Sequence, residues 1–204
     1  MTTKPLSGIK VLDMTKVLAG PYCGMMLRNL GAEVIHCEMP GSGDDARAYG
    51  PYVEGQSIYF LSINRGKKSL EVNAKTPEGK KVLTDLVKNV DVFVQNFKPG
   101  ALDKMGFGYE DVKKINPRCV YVAISGFGQT GPYSGRPAYD MIVQAMGGVM
   151  SITGEPNGNP VRVGTSIGDI IAGMMGAYGA LAALYEREKT GEGQLVDISM
   201  LDCQ

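Results

Sequence analysis

Short apolar runs rich in β-branched residues recur along the chain and alternate with segments of helical periodicity. The first run, Lys10–Met14, is followed by a predicted helix at Pro21–Leu30, with Gly31 suited to its C-terminal cap. Runs separated by helices are typical of a parallel sheet covered on both faces. The further predicted strands are Glu33–Cys37, Ser69–Asn73, Asp91–Gln95, Cys119–Ser125 and Gln194–Met200.

A strong helix signal begins at Thr76 and Pro77, a capping residue followed by a proline. The apolar residues after it, from Val82 to Val90, recur at helical spacing and would face a sheet. Together with the strands, they predict an α/β fold with a doubly wound, Rossmann-like parallel sheet. Further helices are predicted at Tyr109–Ile115, Tyr139–Met150 and Gly168–Lys189.

Charge, the N-terminal stretch and cysteine content indicate which partners, location and metal sites to expect. Lys plus Arg and Asp plus Glu both number 21, so no nucleic-acid or membrane partner is expected. The N-terminal stretch MTTKPLSGIK has no apolar signal core, and we expect a cytoplasmic protein. Four scattered cysteines and the single His36 have no recognised metal-ligand spacing, so no metal site is expected.

Ligands of doubly wound sheets bind beyond the carboxyl ends of the strands, which directs attention to the loops that follow them. The first such loop, Thr15–Gly24, lacks the G-x-G-x-x-G spacing of a nicotinamide site. The helix start at Pro21 can favour an anion, but a plain tight turn is an equally good interpretation. Asn96 follows the fourth strand and can bond a ligand or its own loop, whereas the spacing of Lys98 and Lys104 favours ordinary surface lysines.

Asp169 is the most informative single residue. It lies in an otherwise uncharged stretch, Val163–Tyr185, where a carboxylate is desolvated unless it is paired or faces a cavity. A helix N-cap is the alternative, and Thr165 and Ser166 compete for that position. From the residues alone, cap and catalyst remain equally good interpretations.

Seven collinear blocks of this chain form a recognisable pattern. They are PLSGIKVLDMTKVLAGPYCGMMLRNLGAEVIHCE, GSGDDAR, NRGKKS, TPEGKK, NFKPGALDKMGFGYEDVKKINP, GFGQTGPYSGRPAYD and GDIIAG. Together they resemble the family III coenzyme A (CoA) transferases. That family includes formyl-CoA transferase, the carnitine and bile-acid CoA transferases and alpha-methylacyl-CoA racemase, and the glutarate- and dicarboxylate-type transferases look most similar.

The resemblance implies CoA transfer from an acyl-CoA to a free carboxylic acid, with Asp169 as the nucleophile. It implies an aspartyl anhydride and then an aspartyl-CoA thioester as intermediates, with CoA as substrate and product and no permanently bound cofactor. It places acyl-group contacts at Tyr49, Tyr59 and Tyr139. The CoA contacts that it implies are Val17, Leu18, Val72, Lys75, Asn96, Phe97, Ala101 and Lys104.

Departures from the family pattern bear on the substrate. Leu18 stands where formyl-CoA transferase has Gln, Tyr49 where it has Trp, and Met39–Pro40 where it has two arginines, which argues against formyl-CoA and oxalate. The racemase has a catalytic His at the position of Tyr139, and a phenol of pKa about 10 is a poor base at neutral pH. A racemase and a non-catalytic CoA-binding fragment remain the alternatives.

The resemblance also bears on domain organisation. It implies that residues 1–204 are the N-terminal portion of the large CoA-transferase domain, without the small domain and the C-terminal segment. The loop that shields the active site in this family would also lie outside the chain, so we expect these residues alone to be inactive. For the complete protein, the resemblance implies an interlinked homodimer.

Overall fold

A six-stranded, all-parallel sheet forms the centre of the structure, a computed structural model that describes residues 4–204. The predicted strands are confirmed, with small shifts at their ends. A separate two-stranded hairpin, formed by β3 and β4, was not predicted. The strands are β1 Lys10–Met14, β2 Glu33–Glu38, β3 Tyr52–Val53, β4 Gln56–Ser57, β5 Lys68–Glu71, β6 Val92–Gln95, β7 Val120–Ser125 and β8 Leu195–Ser199.

Within residues 4–204, six α-helices accompany the strands. The short α2 was not predicted; it begins after Ser57, whose hydroxyl accepts a hydrogen bond from the Phe60 N–H. The predicted helix Tyr139–Met150 ends earlier than expected, because Gly148 takes a left-handed conformation (φ 83°) and a 3₁₀ turn follows. The helices are α1 Ala19–Asn29, α2 Ile58–Asn64, α3 Pro77–Val87, α4 Tyr109–Ile115, α5 Asp140–Met146 and α6 Ile167–Thr190.

The strands lie in the order β5-β2-β1-β6-β7-β8. The chain adds strands outward on one side of β1 up to β5, and then adds β6, β7 and β8 on the other side. This is the order of a doubly wound nucleotide-binding sheet, so the α/β fold prediction is confirmed. At the point of reversal, the loops after β1 and β6 leave toward opposite sides and open a crevice. The loops that carry Val17 and Asn96 flank this crevice.

Side chains alternate between the two faces of the sheet and build two cores. On one face, Val11 and Val122 pack with α1 and α6, including Cys23 and Ala177. On the other face, the rings of Phe93 and Tyr121 stack with their centroids 5.0 Å apart. The helices α3 and α4 cover this second face through Leu83 and Val112.

Small residues let α6 approach α1 closely. A Cβ atom on Gly173 would lie 2.6 Å from the carbonyl oxygen of Ala19, so no larger residue fits there without moving backbone. By length and composition alone α6 also resembles a membrane span, but its small-residue face packs against α1 and the sheet. The close approach places the start of α6 beside Ala19, the first residue of α1, and beside the loop that precedes it.

Candidate functional site

The loop after β1 is held by hydrogen bonds from two other loops. Asn96 accepts from the Lys16 N–H (2.9 Å) and donates to the Lys16 carbonyl (2.8 Å). Asp44 accepts from the Val17 N–H at 3.0 Å. Val17 has φ 65°, a left-handed conformation that is strongly disfavoured for a β-branched residue. Such outliers concentrate at functional sites, where the surroundings hold them in place.

Asp169 lies in the first turn of α6, beside this loop. The N-cap interpretation is wrong, because α6 begins at Ile167 and Ser166 occupies the cap position. The backbone N–H of Gly168 instead donates to the Asp140 carboxylate at 2.9 Å. Asp140 therefore accepts from one of the free N–H groups at this end of the helix, and the Asp169 carboxylate is not used as the N-cap.

The surroundings of Asp169 disfavour its charged form. Burial is the main cause, and the nearby negative charge of Asp140 adds to it, while the backbone of Ala19 acts in the opposite direction. Together they raise the pKa of Asp169 to about 6. At neutral pH the carboxylate is mostly ionised, yet it is more basic than an exposed aspartate and is a better nucleophile.

Asp169 lines two cavities that meet at the Val17 loop. The larger, of about 500 Å³, is the tyrosine cavity; Tyr49, Tyr59 and Tyr139 line it together with Arg162. The smaller, of about 210 Å³, is the sheet-side cavity. Val17, Leu18, Tyr139 and Asp169 line both cavities. The sheet-side cavity is also lined by Lys16, Ala19, Asn96, Phe97, Ser125, Gly126, Ala138 and Met200.

A third cavity continues from the sheet-side cavity toward β5. It has about 210 Å³ and is lined by Val72, Lys75 and Met105, among others. Lys16 and Phe97 line both this β5 cavity and the sheet-side cavity. The three cavities thus form a continuous series of neighbours from Lys75, through Asp169, to the tyrosines. An elongated ligand can follow such a path with its reacting group at Asp169.

The structure therefore brings most of the predicted site residues together. Val17, Leu18, Val72, Lys75, Asn96, Phe97, Tyr49, Tyr59, Tyr139 and Asp169 all line this series of cavities. Ala101 and Lys104 line none of the three, and Lys104 is exposed. The roles of these two residues in CoA binding stay predictions.

The tyrosine cavity offers aromatic surface and a phenol that stays protonated. The rings of Tyr49 and Tyr59 meet edge to face with their centroids 5.5 Å apart. Burial, and then the negative charge of Asp169, raise the pKa of Tyr59 to about 12. At neutral pH the hydroxyl of Tyr59 remains a hydrogen-bond donor in the cavity that Asp169 lines.

Sequence reasoning missed a group of buried charged residues near the Val17 loop. Asp13, His36, Asp44 and Lys67, called here the buried charge cluster, have side chains that are at most 2% exposed. Asp13 interrupts the apolar run of β1, and that was the available signal. Arg162 and Asp140 of the tyrosine cavity were also missed, because nothing in their local pattern separates them from surface residues.

Side chains that can ligate metals are not clustered in the described part of the chain. Among residues 4–204, no group of three or more His, Cys, Asp or Glu side chains is arranged to hold a metal ion. The cysteines Cys23, Cys37, Cys119 and Cys203 are free thiols. The chemistry open to the site is that of a carboxylate of raised pKa in a crevice long enough for an extended ligand.

Several known proteins are similar to this chain in sequence and in structure. The chain is 51% identical over 203 residues to mouse succinyl-CoA:glutarate CoA-transferase, covering 98% of this chain and 46% of that protein. It is 50% identical to acetyl-CoA:oxalate CoA-transferase of Acetobacter aceti, covering 97% and 51%. A crystal structure of a CaiB/BaiF family protein from Brucella suis has a TM-score of 0.95 and 44% identity, covering 99% of this chain and 55% of that one.

The chain spans about half the length of these curated relatives. Residues 6–204 match the sequence profile of the CoA-transferase family III. This match covers nearly all of the chain, and the resemblance inferred from the collinear sequence blocks is thereby confirmed. The chain belongs to the CoA-transferase family III.

Proposed function

We propose that the complete protein transfers CoA from an acyl-CoA to a free carboxylic acid, and that Asp169 is the nucleophile. The observation that carries the proposal is the place of Asp169 where the sheet-side and tyrosine cavities meet. A CoA arm lying in the sheet-side and β5 cavities would bring its thioester to this point. The acyl group would then enter the tyrosine cavity.

The first half of the reaction moves CoA from the donor to Asp169 through an anhydride. A carboxylate oxygen of Asp169 attacks the thioester carbonyl carbon, the carbon–sulfur bond breaks, and CoA leaves as a thiolate. The product is a mixed anhydride of Asp169 and the acyl group. The thiolate then attacks the Asp169 carbonyl carbon of this anhydride, which forms an aspartyl-CoA thioester and releases the donor as a free carboxylate.

The second half repeats these steps with the acceptor acid. A carboxylate oxygen of the acceptor attacks the aspartyl-CoA carbonyl, which expels the thiolate and forms a second anhydride. The thiolate attacks the acceptor's carbonyl carbon of that anhydride, and Asp169 leaves as a carboxylate. No water is consumed, so the energy of the thioester is conserved, provided that water is kept from the anhydride.

The surroundings of Asp169 suit this chemistry. Leu18 and Ala19 present apolar surface on the sheet-side cavity, which disfavours water at the reacting carbon. The protonated hydroxyl of Tyr59 can donate to a substrate oxygen as negative charge develops on it. The backbone of Val17 lies between the two cavities and would contact the thioester region.

We further propose a dicarboxylate acceptor for the complete protein. The relatives named above act, by their names, on glutarate and oxalate, which does not favour the racemase alternative. Arg162 is the cation on the tyrosine cavity and can meet a second carboxylate. A cytoplasmic homodimer remains our expectation for the complete protein.

The test uses the complete protein with succinyl-CoA and acetyl-CoA as donors and oxalate, succinate and glutarate as acceptors. Asp169→Ala and Asp169→Asn are each expected to lower kcat at least about a thousandfold, since the nucleophile is removed. Asp202→Asn is the matched control, because Asp202 is exposed and lines none of the three cavities. Near-normal turnover by either Asp169 variant would refute the nucleophile assignment.

A further inference from the structure

The buried charge cluster contains two carboxylates and two cations in direct contact. Lys67 Nζ lies 2.8 Å from Asp13 Oδ2. His36 lies between the two carboxylates, with Nδ1 3.3 Å from Asp13 Oδ2 and Nε2 3.4 Å from Asp44 Oδ2. Two negative and two positive charges balance only if His36 is an imidazolium. A neutral His36 would leave one buried carboxylate uncompensated, which is costly.

Asp44 connects the buried charge cluster to the loop that lines the reaction site. The Oδ2 atom of Asp44 faces His36, while its Oδ1 atom accepts from the Val17 N–H at 3.0 Å and the Ala46 N–H at 2.9 Å. Val17 in turn lines both cavities that contain Asp169. One carboxylate therefore links the buried imidazolium to Val17, the strained residue of the loop after β1, which is called here the site loop.

We propose that His36 is a positioning residue for the Asp169 site: by bridging Asp13 and Asp44, it fixes the carboxylate that holds Val17 in its left-handed conformation. A β-branched residue does not stay in that conformation without such a constraint. Loss of the imidazolium would free Asp44 to turn toward water and Val17 to relax. The inference rests on the proposed function only in taking Asp169 as the reacting group.

The charged groups that face His36 support its protonated state. They are Asp13 on β1, Asp44 in the loop after β2, and Lys67 in the loop before β5, while α2 presents the uncharged ring of Phe60 with its centroid 6.2 Å away. Burial and Lys67 disfavour the charged imidazole, but the two carboxylates outweigh them and raise the pKa of His36 to about 9. The imidazolium is present below that pH and is lost as the pH rises through about 9.

The experiment compares the complete wild-type protein with His36→Gln. Glutamine keeps a polar side chain but carries no charge and cannot bridge two carboxylates at opposite ends of a ring. We expect amide hydrogen exchange at Lys16–Ala19 to rise at least about tenfold, with β7 unchanged. We expect kcat to fall at least about tenfold, because the site loop is displaced. Lys68→Gln is the control, since Lys68 pairs with Glu33 on the exposed edge of the sheet.

Two further measurements separate positioning from a purely structural role. The wild type should lose protection of the Val17 amide as the pH rises through about 9, beyond the intrinsic rise in exchange, and His36→Gln should show no such step. The double variant His36→Gln/Asp44→Asn removes the stranded negative charge while its amide oxygen still accepts from Val17. It should recover part of the lost kcat and of the lost protection.

The results separate a failure of the positioning role of His36 from a failure of the proposed function. Unchanged exchange at Lys16–Ala19 in folded His36→Gln overturns the positioning role, whatever the activity. A lower melting temperature with unchanged kcat and exchange overturns it as well. If His36→Gln does not fold, Asp44→Ala is the second variant, because it removes the acceptor of the Val17 N–H, and unchanged exchange and kcat there overturn the inference. Loop exchange that depends on His36 in a protein with no CoA transfer refutes the proposed function, but supports the positioning of Val17.

Discussion

Asp13, near the carboxyl end of β1, and Asp169, in the first turn of α6, are two carboxylates whose surroundings have opposite effects on them. Asp13 is fully buried, but Lys67 and His36 contact it directly, and these cations hold its pKa well below the usual range despite the burial. Asp169 is partly buried, and in the described part of the chain no cation forms an ion pair with it. Burial and the charge of Asp140 raise its pKa to about 6.

The difference separates a structural carboxylate from a reactive one. A carboxylate that is paired with two cations is stabilised as an anion, and its lone pairs are occupied by hydrogen bonds. An unpaired carboxylate in a cavity keeps its lone pairs available and is costly to the fold. Burial alone therefore does not identify the nucleophile; the sign of the charge beside the carboxylate does.

The largest effect on stability is expected at Asp13. Asp13→Asn leaves Lys67 and His36 facing a neutral amide, and breaking such a buried pair costs about 3–5 kcal/mol of the free energy of unfolding. Asp85→Asn is the matched control, because Asp85 and Lys88 form an ion pair with side chains 57% and 55% exposed. Its loss is expected to cost less than about 1 kcal/mol. Equal costs in urea unfolding would remove the distinction between a compensated cluster and a surface pair.

Asp169→Asn is expected to raise the free energy of unfolding, whereas Asp13→Asn lowers it. Because the folded pKa is raised above the usual value, ionisation of Asp169 destabilises the fold at neutral pH and costs nothing where both states are protonated. The variant is therefore expected to be about 1–3 kcal/mol more stable at pH 7. The gain should disappear as the pH falls from about 6 to about 4. Urea unfolding across this range measures it, and a loss of stability at pH 7 would mean that Asp169 has an unrecognised partner.

The pH dependence of turnover should follow the same group. The attacking species is the carboxylate, so kcat/KM is expected to be level above pH 6 and to fall about tenfold per pH unit below it. An aspartate with an ordinary environment would keep the protein active down to about pH 4. Initial rates between pH 4.5 and 8, with stability checked at each pH, decide between the two. A level profile to pH 5 would contradict the raised pKa.

The smallest effect is expected when Asp140, the carboxylate near Asp169, is replaced, and it should appear in the pH profile of turnover. Asp140→Asn removes the like charge but keeps an oxygen that can accept from the Gly168 N–H. The midpoint of the pH profile should move toward lower pH by less than about one pH unit, because burial remains the main cause of the raised pKa. A midpoint that stays in place or rises would show that the charge of Asp140 does not act on Asp169.

Much of the fold followed from local pattern, whereas the details of the site did not. Apolar runs such as Lys10–Met14 identified the strands, because a central parallel strand is buried on both faces. Helix α2 was missed, because its sequence, Ile58–Asn64, is mostly apolar and β-prone, and a short run of this kind cannot be told from a strand by its pattern. The uncharged surroundings of Asp169 identified it as unusual but left its function open.

The buried charge cluster was beyond local reasoning for a different reason. Asp13 and Lys67 are 54 positions apart, and the sheet order that brings them together is a property of the whole fold. His36 and Asp44 are close in sequence, but no local periodicity predicts that the loop after β2 folds back and places Asp44 against His36. The family resemblance supplied the residues that line the cavities, but not the contacts that hold Val17 in place.

Trapping of the covalent intermediate identifies the nucleophile. The complete protein is mixed with an acyl-CoA and quenched with hydroxylamine, and the peptides are analysed by mass spectrometry. We expect a hydroxamate on Asp169, none on Asp13 or Asp140, and none in Asp169→Asn. A turnover-competent protein that carries the adduct on another residue, or that carries none, would contradict the assignment of Asp169 as the nucleophile.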